Sequence, residues 1–279
     1  MPKRIGIIGC GTIGRELAFA VDKSIVGDAS IVFLFDTVPT ASSNLKGRLV
    51  NNNPAIFSGF SHLISSESFK QADIVVEAAS QEAVRAYAKE IVLSNKSLMI
   101  MSAGALSDSH LLRMLYGAIS KHDSRIYVPT GAIAGIDAIY SVRHLIDFVM
   151  LTTTKNLKAL AGAPYFKLRK IKPESIRKKT LLYDGNATEA AKLFPSNVNV
   201  AVVLGLAGRG IRNTRVKIVA DPRTTQNEHQ IIVRGMFGEI SIMVRNAPSP
   251  SNPKTSLLAS LSAIECLRRI CDNKIRVGT

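Results

Sequence analysis

Gly9, Gly11 and Gly14 form a GxGxxG pattern within GIIGCGTIG, directly after the β-branched run Lys3–Ile8 and ahead of a stretch of helical composition. Each glycine has a separate task in a turn that holds a dinucleotide pyrophosphate. Gly9 permits the tight turn, Gly11 lets the backbone approach the phosphates, and Gly14 lets helix and strand pack closely. The free N–H groups and positive dipole end of the helix, around Thr12 and Ile13, then face the phosphates. Asp36 ends the next apolar run, about 20 residues past Gly14, where an acid accepts hydrogen bonds from the adenosine ribose. That carboxylate also repels a 2′-phosphate. Thr37-Val38-Pro39 follow it with no arginine, so the pattern favours NAD over NADP, with Lys46 and Arg48 the nearest cations downstream.

A second kind of chemistry could come from histidine, the side chain whose ordinary pKa of ~6.5 suits proton transfer near neutrality. His62, His110, His122 and His144 lie in polar or helical stretches and read as surface residues. His229 sits where the irregular polar segment 221–228 meets an apolar strand, a common place for a site residue, and is the candidate proton carrier.

The elements that must position these groups follow from periodicity. The first half alternates strands with helical stretches, the signature of a parallel sheet wrapped by crossover helices. Strands are expected at 3–8, 31–35, 74–78, 97–101 and 125–128, with a sixth near 59–64, and helices at 15–23, 81–93 and 108–120. The pattern changes after Pro129. A strand at 148–154, helices at 186–193 and 199–207, and strands at 214–219, 230–236 and 239–244 read as an α+β domain carrying an antiparallel meander. A helix from Thr255 to about Cys271 closes the chain. The fold class is therefore α/β: an N-terminal Rossmann-type parallel sheet over 1–130, and a second α+β domain over 131–253 with a mixed or antiparallel sheet. The last helix, within 254–279, is expected to pack back on the first domain.

The bulk composition limits the alternatives. At 279 residues, with 46% hydrophobic and 20% charged, the chain has material for two packed cores. The apolar part of MPKRIGIIGC is too short for a secretory signal, and no run reaches the ~18 residues of a membrane helix. Cys10, Cys266 and Cys271 have neither metal-ligand spacing nor even pairing, so no metal is expected and the thiols read as those of a cytoplasmic protein. The net charge of +15 is concentrated in part between Lys167 and Lys179. Few aromatic residues and no nucleic-acid motif accompany it, so it reads as a solvated face with no nucleic-acid partner.

Several longer segments carry a resemblance. SAGAL (Ser102–Leu106), PTGAIAGIDA (Pro129–Ala138), FPSNVNVA (Phe194–Ala201), ADPRTTQNEHQI (Ala220–Ile231) and NAPSPSNPKTS (Asn246–Ser256), together with GIIGCGTIG, resemble the L-aspartate dehydrogenases of archaea and bacteria over nearly the whole chain. The resemblance implies a homodimer that oxidises L-aspartate with NAD(P) to iminoaspartate. That product feeds NAD biosynthesis or hydrolyses to oxaloacetate and ammonia. It also implies His229 as the catalytic histidine and cofactor contacts at Ala132 and Asn199, with Ala79, Ser80, Ser102 and Gly104 around the same cofactor. The stretch 154–180 is longer and more basic than the family pattern, and Thr130 stands where serine is usual.

A dicarboxylate substrate needs cationic or hydrogen-bonding partners, for which Thr153, Lys155 and Lys254 are candidates. Two other readings remain open at this point. One is another Rossmann oxidoreductase of a small amino or keto acid, similar to dihydrodipicolinate reductase or homoserine dehydrogenase. The other is a non-catalytic NAD-binding sensor.

Overall fold

The computed structural model describes residues 2–249 and 252–272, without the side chains of 252–254. These residues divide into two compact units: 2–129 together with 260–272, and 130–259.

The first unit opens with β1 (Lys3–Ile8), α1 (Thr12–Asp22), β2 (Ala29–Phe35), α2 (Pro39–Lys46) and β3 (Ala55–Phe57). It continues through α3 (Phe60–Ser65), α4 (Glu67–Gln71), β4 (Ile74–Glu77) and α5 (Gln81–Leu93) to β5 (Ser97–Ile100), α6 (Ser109–Ile119) and β6 (Ile126–Tyr127). The six strands pair in parallel in the order β3-β2-β1-β4-β5-β6, the doubly wound dinucleotide-binding arrangement. Strand order reverses between β1 and β4, which places the ligand crevice beyond their C-terminal ends. The residues 59–64, expected as a strand, form helix α3 instead. The sixth strand is the three-residue β3, just before them.

Ile5 and Ile7 of β1, Ile31 and Leu34 of β2, Leu17 and Val21 of α1, and Ile74 and Val76 of β4 build one buried cluster. Each such side chain contributes roughly 1.5–3 kcal/mol by leaving water. Gly14 is needed for the close packing of α1, because a methyl group there would collide with the Gly9 carbonyl oxygen. Gly9 has φ +94°, and a Cβ on it would lie 2.6 Å from the Ala78 carbonyl carbon.

The second unit carries α7 (Ile136–Ser141), β7 (Ile146–Lys155), α8 (Leu157–Leu160), α9 (Pro164–Leu168), β8 (Thr180–Asn186), α10 (Ala187–Leu193) and α11 (Asn199–Ala207). The strands β9 (Thr214–Ala220), β10 (Asn227–Gly235) and β11 (Gly238–Asn246) follow, then β12 (Pro248–Ser249) and β13 (Asn252–Ser256). A five-stranded mixed sheet has the order β11-β10-β7-β9-β8. The strands of 214–244 do not form the expected meander. Only β10 and β11 form a hairpin, whereas β9 lies parallel to β7 and antiparallel to β8. Hydrophobic alternation sets which face a strand buries, but not which strand lies beside it.

The last helix, α12 (Leu257–Cys271), starts after β13, so Thr255 and Ser256 belong to a strand rather than to the helix. Its Ala263 and Leu267 are fully buried in the cluster of the first unit.

Candidate active site

In the first unit the glycine turn runs straight into α1, whose N-cap is Gly11 with no side-chain hydrogen bond capping it. The first N–H groups of the helix are thus left for an external acceptor, and space opens beside Gly11, where a Cβ would meet nothing within 4 Å. Asp36 Oδ2 accepts from the Cys10 N–H at 2.8 Å and Oδ1 from the Val38 N–H at 2.9 Å, fixing the carboxylate against the turn. It lines a cavity of about 240 Å³ with Gly9, Thr37, Ala79, Ser80, Glu82 and Tyr87. Tyr87 is held by stacking on Phe60, with ring centroids 4.1 Å apart. These residues fit the adenosine half of a dinucleotide: an acid for the ribose, a glycine turn and free helix N–H groups for the pyrophosphate. The lining residues include two acids and no lysine or arginine among the described residues.

Glu77, absent from the sequence-based candidates, joins the loops that follow β4 and β5. It is buried at the end of β4 and accepts from the Ala79 N–H at 2.9 Å, the Ser102 N–H at 3.0 Å and the Ser102 hydroxyl at 2.8 Å. Burial raises its pKa, and these hydrogen bonds oppose the rise. Ala79, Ser80 and Ser102 are therefore held by one carboxylate. Gly104 lies buried in the short turn after Ser102, and Ser80 caps α5 by accepting from the Ala83 N–H. The one sequence signal for Glu77 is an acid closing the apolar run Ile74–Val76.

In the second unit, the β7–β10 register sets Thr153 opposite His229. Both are buried, and Thr153 Oγ1 lies 3.0 Å from His229 Nδ1. Lys155, two residues along β7 on the same face, is buried and donates from Nζ to Asn197 Oδ1 at 2.7 Å. Burial lowers the Lys155 pKa to about 8. Burial first, and then the positive charge of Lys155, lower the His229 pKa to about 3. The imidazole is thus neutral at pH 7, with Nδ1 engaged and, among the described residues, no hydrogen bond to Nε2.

Ala132 is buried, and its carbonyl accepts from Asn246 Nδ2 at 2.9 Å. The adjoining Gly131 packs near Val200, the residue after Asn199, so the GAIAG and NVNVA segments meet. The Lys254 side chain lies outside the described residues. His62, His110 and His144 are exposed, as are all seven basic residues of the 167–179 stretch. No group of three or more His, Cys, Asp or Glu suited to a metal occurs among the described residues, and no helix of theirs is long and apolar enough to cross a membrane.

Two family models cover the two halves. Residues 9–129 match the NAD-binding domain of homoserine dehydrogenase, and residues 137–270 match the aspartate dehydrogenase C-terminal domain. The L-aspartate dehydrogenase of Nitrosopumilus maritimus is 43% identical over 277 residues, covering 99% of this chain and 100% of the relative. That of Methanocaldococcus jannaschii is 35% identical, covering 99% of both chains. The crystal structure of aspartate dehydrogenase from Thermotoga maritima aligns over 100% of both chains, with a TM-score of 0.73 and 25% identity. The likeness to homoserine dehydrogenase is thus a property of the shared cofactor half, while the half that carries His229 matches a different family model. With relatives of this identity along its full length, the chain belongs to the aspartate dehydrogenase family.

Proposed function

We propose that this chain is an NAD(P)-dependent L-aspartate dehydrogenase, converting L-aspartate to iminoaspartate, which water hydrolyses to oxaloacetate and ammonia. The observation that carries the reading is His229, buried and neutral opposite Thr153 within a family named for that reaction. Loss of hydride from the substrate Cα leaves a cation that only a neutral amine can stabilise, since an ammonium has no lone pair. A base must therefore remove a proton first. With Nδ1–H donating to Thr153 Oγ1, the lone pair of His229 sits on Nε2, and a substrate carboxylate bound beside it would offset the burial and the Lys155 charge that lower its pKa, so that it can take the proton. Bound NAD would supply the hydride acceptor. Gly9, Gly11 and Gly14 would hold its pyrophosphate, Asp36 its ribose, and Ala132 and Asn199 its nicotinamide end. Asp36 and Glu82, in a cavity lined by no lysine or arginine among the described residues, support NAD over NADP.

The same reading includes a homodimer, a cytoplasmic location in keeping with three free cysteines, and a supply of iminoaspartate to NAD biosynthesis. The test is His229→Ala. Its affinity for NADH should stay near the original value while L-aspartate oxidation falls about 10²–10⁴-fold, the usual worth of a positioned acid–base group. A fully active variant would refute the assignment.

A further inference from the structure

One face of the β7–β10 ladder changes character along its length. Val149 pairs with Val233 and Leu151 with Ile231, and all four are fully buried. The next rung is Thr153 with His229, and after it β7 places Lys155 on the same face. On the neighbouring strand β9 the same rungs hold Thr214, Val216, Ile218 and Ala220, all buried, with the Thr214 hydroxyl donating to the Gly210 carbonyl. A largely apolar sheet face therefore ends in three buried polar groups, Thr153, His229 and Lys155, at the C-terminal end of β7.

Lys155 is the one that stability does not explain. A buried ammonium is costly unless an anion compensates it, and no carboxylate of the described residues lies within 4 Å of it. Among the described residues its side chain makes one hydrogen bond, to the neutral Asn197 side chain, which uses one of three N–H donors. Among the described residues nothing takes the other two donors, which lie beside the histidine assigned to proton transfer. We propose that Lys155 is a carboxylate-binding residue of the substrate site, with Asn197 orienting its ammonium toward one carboxylate of a dicarboxylate amino acid. The inference rests on the reading of His229 as part of that site. Lys155 binds and orients; the proton remains the business of His229.

The experiment uses the full chain loaded with NADH and succinate, a dicarboxylate without an amine, followed by calorimetry. Lys155→Met should keep NADH binding and lose about 10–100-fold in succinate affinity, the worth of one charge-assisted hydrogen bond or slightly more. In turnover, KM for L-aspartate should rise by a similar factor with a smaller fall in kcat. An equal loss for L-aspartate and L-asparagine would identify the α-carboxylate as the partner, and a loss for L-aspartate alone the β-carboxylate. Should the variant fold poorly, the unaltered protein gives the same answer. The Lys155 side-chain resonance should titrate at higher pH once succinate is bound, because the carboxylate stabilises the ammonium. Unchanged succinate affinity in the variant, an unmoved titration, or a fall in kcat with KM intact would overturn the proposal. Binding of succinate through Lys155 without any L-aspartate turnover would instead overturn the proposed reaction and leave the anion site standing.

Discussion

Lys155→Met should make the free protein more stable at pH 7, although it damages the substrate site. Holding the buried ammonium at about 8 rather than 10.5 costs the fold about 3 kcal/mol at neutral pH, at 1.36 kcal/mol per pKa unit. Methionine fills a similar volume without charge, at a repacking cost of about 1 kcal/mol or less. Losing the partner of Asn197 Oδ1 gives back about 1–2 kcal/mol. The balance is a net gain of about 1 kcal/mol, or roughly 2–4 °C in Tm for a chain of this size. The pH dependence is the sharper signature. A lysine whose folded pKa lies below its unfolded value destabilises fully below about 8, and this penalty fades as pH rises toward 10.5. The advantage of the variant should therefore be present at pH 7 and gone near pH 10. Chemical denaturation of both proteins at the two pH values measures it, since every other titration cancels in the difference. A variant less stable than its parent at pH 7, or a difference unchanged between the two pH values, would refute the account of Lys155 as an uncompensated buried charge.

Two other outcomes follow from the structure. Asp36→Ala should weaken both cofactors, because the carboxylate also holds the Cys10 and Val38 N–H groups, but NAD more than NADP; an unchanged ratio of the two affinities would remove the ribose role. Light scattering at micromolar concentration should give twice the chain mass, with the sheet edges β11 and β8 to be covered, and a monomeric mass would contradict the dimer.

The cofactor half was largely legible because its chemistry is local. The glycine spacing, the strand before it and the acid after β2 all lie within the first 36 residues. The error at 59–64 also has a local cause. HLI looks apolar enough for a strand, whereas β3 is only Ala-Ile-Phe and too short to show a period. The second unit was harder. Strand β8 contains Asp184, Gly185 and Asn186, residues that read as turn, and β9 enters the sheet beside a strand distant in sequence. His229 is a candidate from its place where a polar segment meets an apolar run, the resemblance alone gives it the catalytic role, and its place inside β10 opposite Thr153 comes only from the strand register. Lys155 stands in the sequence as one of three candidates, because a lysine at a strand end is ordinarily solvated, and its burial depends on elements as distant as Asn197. Glu77 gave even less warning, since what it ties together is two loops rather than a pattern.

The central claim is the substrate, and the direct measurement is a panel of L-aspartate, L-malate, L-glutamate and L-homoserine with NAD, followed by NADH absorbance. L-Aspartate should be clearly the best substrate, with rates rising toward alkaline pH as more of its amine becomes neutral. A faster rate with any other member of the panel would contradict the account.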